Sequence, residues 1–465
     1  DKYYGFTYER SLIHFYQSLN RFLLSQQKFY EGYKKGEKDF PQKELNPSEI
    51  TRERQAARAE LLEWDSYLKD VKNQKLGNSV FKVDLLAKTF GAYVHESFNT
   101  VNDDQVALRL YQDAKLFLFR NYNSYRTFNR NFKKFRGDYS KLPKMKKEVV
   151  EKKYVNMTEF QKTLKDFLDF KILSLIKKIR PRDYKKQVRL QKPTKKTLEA
   201  LKKYKNRSNV GIVFQKGFIP KKNPSKQYFG LGAVIDDPNA SGAAKAAAAI
   251  GSVVLTVYAA QTLGLMPPPR SYNPIGAHMG IRVAEGVARH SAISFELPKM
   301  ENRPSSKMSY LKISNSKDKK TIRSVEVPVV NPLGDIAAEA IAEDSAARYA
   351  RIGTRLALKH IAAILASYTT YKAMISSDKP KFIAKNVAVL QYLAAAKGIQ
   401  MSEKADIRYW SSLPQDLRFV DFYIPEGEYQ LNLELKKGKK LLQSIDLGKQ
   451  KMKKNHQLLN VSSRI

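Results

Sequence analysis

Val210-Gly-Ile-Val-Phe-Gln-Lys-Gly-Phe-Ile-Pro220 is the stretch at which the chain changes its period. Val210, Ile212, Val213 and Phe214 are β-branched or aromatic, and Gly217 and Pro220 stop the run. A short apolar run bounded by turn residues predicts a strand covered on both faces. Before it, apolar residues recur every third or fourth position. After it, short Val/Ile runs dominate. The predicted class is therefore α+β. Residues 1–207 are expected to form a tetratricopeptide-like α-helical solenoid, and 208–465 a β-sandwich-like domain with helical insertions at about 240–266 and 332–398. Paired strands before Ala200 would break this division.

Working upstream, Leu12, Phe15, Tyr16, Leu19, Phe22 and Leu23 predict a helix over 6–31, and Pro47–Val71 reads as a second. Val80–Phe98 and Asp103–Tyr122 read as a helical hairpin. In its second arm Ala107, Tyr111 and Ala114 give the small–aromatic–small spacing of a tetratricopeptide unit, although Gly91 stands where a large aromatic is usual. An ordinary antiparallel helix pair explains the same spacing. Thr158–Ile179 is a further helix, opened by Thr158 and Gln161 as a capping box.

Downstream, Ala292–Leu297, Ser309–Ile313 and Thr321–Val330 read as strands. Asn331-Pro332 is expected to cap and start a long helix, and Phe382–Ala396 forms another. Leu417–Ile424 and Glu428–Leu435 are expected to pair as a hairpin across Pro425-Glu-Gly427, with Lys440–Leu447 as the last strand. Trp410 is expected in the core of the β-domain, in a structural role. Ala246–Met266 is uncharged for 21 residues but weakly apolar, so it reads as an Ala-rich helix packed on protein, with a membrane span as the alternative.

The chain of 465 residues contains 84 Lys and Arg against 45 Asp and Glu, a formal net charge of +39, and no cysteine. With 42% hydrophobic residues it has the material for real cores. Lack of cysteine excludes disulfide scaffolds, thiol nucleophiles, Fe–S clusters and cysteine zinc sites. Residues 120–226 hold 33 Lys and Arg against 8 Asp and Glu, so most of the excess charge lies there. Lys144, Lys146, Lys147, Lys152 and Lys153 are its first cluster. Lys177, Lys178, Arg180 and Arg182 are its second. These nine are the candidate contacts to an anionic partner. Tyr122, Tyr125, Phe128, Phe132 and Phe135 interleave with Arg126, Arg130, Lys133, Lys134 and Arg136 as base-stacking platforms do, yet the same spacing suits a helix core face.

Catalytic and cofactor signatures are weak. None of His14, His95, His278, His290, His360 and His456 has a second His or a carboxylate at zinc-site spacing. No phosphate loop and no nucleophile elbow occurs. Asp421 with Glu434-Leu-Lys436 imitates a metal-dependent nuclease set, but Leu431, Leu433 and Leu435 alternate with those polar residues, as on a half-buried strand. The expectation is no catalytic residue, no cofactor and no metal, with a nuclease or a wall hydrolase as the enzymatic alternative.

Three passages carry a resemblance: Tyr8-Glu-Arg-Ser-Leu-Ile-His-Phe-Tyr-Gln-Ser-Leu-Asn20, the Val210–Pro220 strand, and Glu403-Lys-Ala-Asp-Ile-Arg-Tyr-Trp-Ser-Ser-Leu-Pro414 followed by Pro425-Glu-Gly427. Together they resemble a family of uncharacterised Gram-negative envelope lipoproteins with tetratricopeptide-like helices and a β-rich C-terminal domain. The resemblance implies a periplasmic, outer-membrane-associated protein, anchored through a lipidated cysteine upstream of Asp1. It supplies no catalytic residues. This chain departs from it in lacking further helices before Tyr8 and in its strongly basic 120–226 segment.

The functional expectation is a non-enzymatic periplasmic scaffold or adaptor, alone or within a flagellar or secretion assembly. Its partners would be other envelope proteins, peptidoglycan, anionic lipid or an acidic subunit. A cytoplasmic nucleic-acid-binding protein is the alternative.

Overall fold

The computed structural model describes residues 5–27, 29–73, 83–203, 207–229, 293–301, 304–305, 307–316, 320–402, 404–453 and 456–463. Two compact units result. One gathers residues 1–221, 301–340 and 409–465; the other gathers 222–300 and 341–408. The helices before 207/208 and the two four-stranded sheets after it thus share one unit.

Helix α1 (Thr7–Leu24) stops short of the predicted end. Residues 29–44 form two small antiparallel ladders instead, β1 (Phe29–Tyr30) with β4 (Lys43–Glu44) and β2 (Tyr33–Lys35) with β3 (Lys38–Phe40). Paired strands therefore do occur before Ala200, and the strict helix-then-strand division fails there. Gly32 and Gly36 weaken a helix through this run, and Gly36 takes φ +60° in the inner turn.

The chain continues through α2 (Pro47–Asn73), α3 (Leu85–Glu96) and α4 (Val101–Arg120). Ala107, Tyr111 and Ala114 are buried as their spacing predicts. Residues 121–158 then interrupt the helical pairing with short 3-10 turns, α5 (Phe132–Gly137) and α6 (Lys147–Tyr154). Next come α7 (Glu159–Ile179), α8 (Tyr184–Gln191) and α9 (Lys195–Lys203). Thr158 Oγ1 accepts from Gln161 N over 3.3 Å, but the Gln161 side chain turns to Asn123 Oδ1, so only half of the capping box forms.

The strands are β5 (Val210–Lys216), β6 (Lys222–Phe229), β7 (Ile293–Met300), β8 (Met308–Asn315), β9 (Thr321–Glu326) and β10 (Val329–Asn331). Helices α10 (Leu333–Ser376) and α11 (Lys381–Ser402) follow, then β11 (Asp416–Phe422), β12 (Gly427–Lys437), β13 (Lys440–Met452) and β14 (Gln457–Ser463). Asn331 ends β10 and its side chain turns to Asp84, so it does not cap α10 as expected. The expected hairpin across Pro425–Gly427 does not form either. Strand β11 pairs with β5 and β10, whereas β12 pairs with β13 and β8, so the chain crosses from one sheet to the other at that point.

The first sheet has the order β10-β11-β5-β14, with β14 parallel to β5; the second is β13-β12-β8-β9, all antiparallel. Val210, Ile212, Phe214, Val420 and Phe422 of the first meet Leu311, Ile313, Leu431, Leu433 and Leu435 of the second in one core. The other face of the first sheet carries the helices. Phe419 meets the rings of Phe90, Tyr93 and Phe167, and Tyr93 Oη donates to Gln457 O over 2.7 Å. This three-layer stack explains why every residue of β5 is buried.

Polar groups tie the layers together. Trp64 Nε1 donates to Ser11 Oγ, which donates to Asp84 Oδ2, so α2, α1 and the cap of α3 form one relay. Burial pushes the Asp84 carboxyl up to about 6, against its hydrogen bonds from Ser11 and Leu86. Trp64 is fully buried, whereas Trp410 is 36% exposed. Trp410 lies against the Tyr16 ring at 5.9 Å and donates Nε1 to Ser412. The expectation of a core Trp410 is thus overturned: the residue precedes a surface turn, and the core position falls to Trp64.

In the second unit, β6 and β7 pair antiparallel from Lys222↔Met300 to Phe229↔Ile293. Lys222 Nζ donates to Arg408 O over 2.8 Å, and Ser345 Oγ to Pro298 O over 2.9 Å. The predicted Ala-rich segment 246–266 lies outside the described residues. Among the described residues, no helix is long and apolar enough to cross a membrane.

Candidate anionic-partner surface

The first basic cluster is held by a small core of its own. Phe135 from α5, Leu142 from the 3-10 turn Leu142–Lys144 and Tyr154 from α6 are buried together, with Tyr139, Met145, Val150 and Val155 packed around them. Val150 and Tyr154 are one helical turn apart, so α6 turns that face inward and its lysines outward. Asn129 fixes the segment from beneath. Its Nδ2 donates to Asn123 O and Tyr154 O, and its Oδ1 accepts from Asn131 N and Asn156 N. All four hydrogen-bonding positions of a fully buried amide are thereby used.

On this frame Lys144 ends a 3-10 turn, Lys146 precedes α6, Lys147 begins it, and Lys152 and Lys153 stand in its last turn. Lys144, Lys146, Lys152 and Lys153 are exposed. Among the described residues no carboxylate pairs with these four. Lys153 Nζ lies 5.3 Å from the centre of the Tyr154 ring, and Lys134 Nζ lies 5.6 Å from the same ring. Tyr154 therefore brings Lys134 into the cluster, which sequence spacing alone did not do.

The second cluster surrounds the C-terminal end of α7. Lys177 and Lys178 lie in its last turn, where the helix dipole favours cations, and Arg180 is its C-cap. Arg182 follows in a 3-10 turn. Lys178 is partly committed: its Nζ pairs with Asp104 Oδ2 at 2.6 Å, and Arg207 binds the other oxygen of Asp104. Exposed Lys185, Lys186 and Arg189 on α8 extend the patch. Their spacing between Pro181 and Pro193 was the signal that could have revealed them. Among the described residues no carboxylate pairs with Lys177, Arg180, Arg182, Lys185, Lys186 or Arg189. The two clusters stand on different elements, α5–α6 and α7–α8.

The base-stacking arrangement does not survive folding. Tyr122, Tyr125, Phe128 and Phe135 are buried, and the half-buried Phe132 has the Arg136 guanidinium 5.5 Å from its ring centre, so these faces are spent on the protein itself. The nuclease-like set does not converge. Asp421 faces the helical layer and bonds Lys171, whereas Glu434 and Lys436 pair with each other at 2.6 Å on β12. Leu431, Leu433 and Leu435 turn from that strand to the core, so Glu434 and Lys436 lie on the opposite side of the sandwich from Asp421.

Comparison with known proteins finds no matching family model, no matching curated protein and no matching solved structure.

Proposed function

We propose that this chain is a non-enzymatic adaptor of the Gram-negative cell envelope, holding an anionic surface or polymer against the cationic faces of α5–α6 and α7–α8. The observation that carries this reading is the set of exposed Lys and Arg side chains on those faces that have no carboxylate partner among the described residues. Such side chains release counterions or meet lipid head groups without first breaking internal ion pairs. Burial of Tyr122, Tyr125, Phe128 and Phe135 favours an envelope polymer or anionic lipid over single-stranded nucleic acid, which needs free stacking faces. The periplasmic setting rests on the sequence resemblance. The successive pairs α1–α2 and α3–α4, with Ala107, Tyr111 and Ala114 buried between helices, support reading the helical layer as tetratricopeptide-like.

The test is cosedimentation of the full chain with vesicles of phosphatidylglycerol, with purified wall polymer, and with duplex DNA, across a salt series. Binding to vesicles or wall polymer should fall steeply with salt and fall further when Lys144, Lys146, Lys152 and Lys153 are changed to Glu. Salt-indifferent binding would reduce the lysines to a solvated surface. Stronger retention on DNA at physiological salt would favour the nucleic-acid alternative.

A further inference from the structure

Helices α1 and α2 lie antiparallel, and four contacts fix their register. Tyr67 Oη donates to Thr7 O over 3.1 Å, Trp64 Nε1 to Ser11 Oγ over 2.7 Å, and Ser18 Oγ to Ala57 O over 2.8 Å. Arg21 pairs with Glu53 at 2.9 Å. This register sets His14 opposite the turn of α2 that carries Glu60 and Glu63. Those two glutamates are three residues apart and so share a helix face. One ring nitrogen of His14 and one carboxylate oxygen from each glutamate all lie within 4.8 Å of one another.

The polar atoms at this seam lack the partners they need. His14 Nδ1 and Glu60 Oε2 are cut off from solvent, and among the described residues neither has a hydrogen-bond partner. Burying such atoms unpaired is unfavourable. No Lys or Arg among the described residues forms an ion pair with Glu60 or Glu63, in a chain with 84 Lys and Arg against 45 Asp and Glu. The nearby Arg10 guanidinium sits instead over the Tyr67 ring, 5.7 Å from its centre. The His14 ring packs on the same Tyr67 at 5.5 Å, and Tyr67 is itself anchored to Thr7. The imidazole is thus held by packing with one of its ring nitrogens within 4.8 Å of a carboxylate oxygen of each glutamate.

We propose that His14, Glu60 and Glu63 bind a divalent first-row transition cation of the Zn²⁺ class and so clasp α1 to α2. The donor set decides the class. An imidazole nitrogen disfavours Mg²⁺ and Ca²⁺, which take oxygen ligands, and the two carboxylates balance a double positive charge. Three protein donors leave a position for water, and Glu63, the exposed member, gives solvent access to it. Because the ligands come from two helices, the cation binds the folded pair and stabilises it.

The experiment titrates Zn²⁺ into the full chain in competition with a chromophoric chelator, with thermal melting in parallel. The expected result is one tight equivalent and a rise in melting temperature. His14→Gln and Glu63→Gln should each weaken binding by about 100-fold and abolish the rise. His95→Gln should change neither, because His95 Nδ1 is already bonded to Asp103 at 2.8 Å. Glu63 is exposed, so its variant keeps the fold even if loss of His14 does not. Absence of tight Zn²⁺ binding, or parental affinity in Glu63→Gln, overturns the proposal.

Discussion

Lys171 Nζ donates to Asp421 Oδ2 over 2.5 Å, joining α7 to the sheet at a point neither side chain shares with water. Glu96 Oε2 accepts from the same ammonium at 2.8 Å. One buried cation therefore serves two buried carboxylates. Burial raises the Glu96 pKa, Lys171 opposes that rise, and the Asp421 charge adds to it. Lys171→Met should cost about 3–5 kcal/mol in denaturant unfolding, because it strands two carboxylates in a dry layer. Adding Asp421→Asn should restore part of that loss. A double variant no more stable than the single would show the pair to be uncoupled.

The two tryptophans give an optical check on the fold. With Trp64 buried and Trp410 exposed at 36%, Trp410→Phe should leave blue-shifted emission resistant to acrylamide. Trp64→Phe should leave emission that acrylamide quenches readily. Trp64→Ala should cost about 3–5 kcal/mol, well above Trp410→Ala.

Gly211 leaves no room for a side chain. A Cβ there would sit 2.6 Å from Tyr93 Cζ and 3.0 Å from Leu458 Cδ1. Tyr93 cannot retreat without giving up its hydrogen bond to Gln457 O. Gly211→Ala should therefore destabilise the first unit by about 1–3 kcal/mol, read as a lowered unfolding midpoint. Pairing it with Tyr93→Phe should recover little, since the ring carbon still collides.

His456 sets an acid limb. Burial lowers its pKa to about 3, helped by the cations Arg207, Lys171, Arg54 and Lys178. The unfolded chain takes up a proton near the ordinary histidine value while the folded one does not. Its contribution is thus intact above about pH 6.5 and is lost as pH falls toward 3, at up to about 1.4 kcal/mol per pH unit. Asp84 and Asp335, both raised to about 6, act in the opposite sense. They favour the folded state below the ordinary carboxylate range, and that contribution fades as pH rises through 6. His456→Asn should steepen the fall in stability with rising pH between about 4 and 6, because it removes the group that acts in the opposite direction. An unchanged pH profile would place the His456 proton elsewhere.

Local periodicity made much of this architecture readable. The α7 stripe, the small–aromatic–small set on α4 and the strand at Val210 all lie where their spacing put them, because each is a face buried by neighbours on one element. What spacing could not carry was partner choice. Leu417–Ile424 and Glu428–Leu435 look like two arms of a hairpin from their alternation and turn, and nothing local says that they join different sheets. Trp410 and Trp64 differ in which helices arrive beside them. The same applies to chemistry: Glu60 and Glu63 stand 46 and 49 positions after His14, so only the antiparallel register of two helices brings them together. The lysine clusters were visible as composition, yet whether Lys178 was free depended on Asp104, 74 positions away.

The interleaving of the first unit along the chain has a consequence for synthesis. Strand β5 is complete once Lys216 has been added, but its sheet neighbours begin only at Asp416 and Gln457. At about 5–20 residues per second, the ribosome needs about 10–40 s to supply the first of them. For that interval the apolar edge residues Val210, Ile212 and Phe214 have no cross-strand partner, and the helical layer has no sheet to close upon. The core of this unit therefore closes only after Asp416–Phe422 and Gln457–Ser463 have been made, and a chain that stalls before Asp416 presents an open strand to whatever chaperone is at hand.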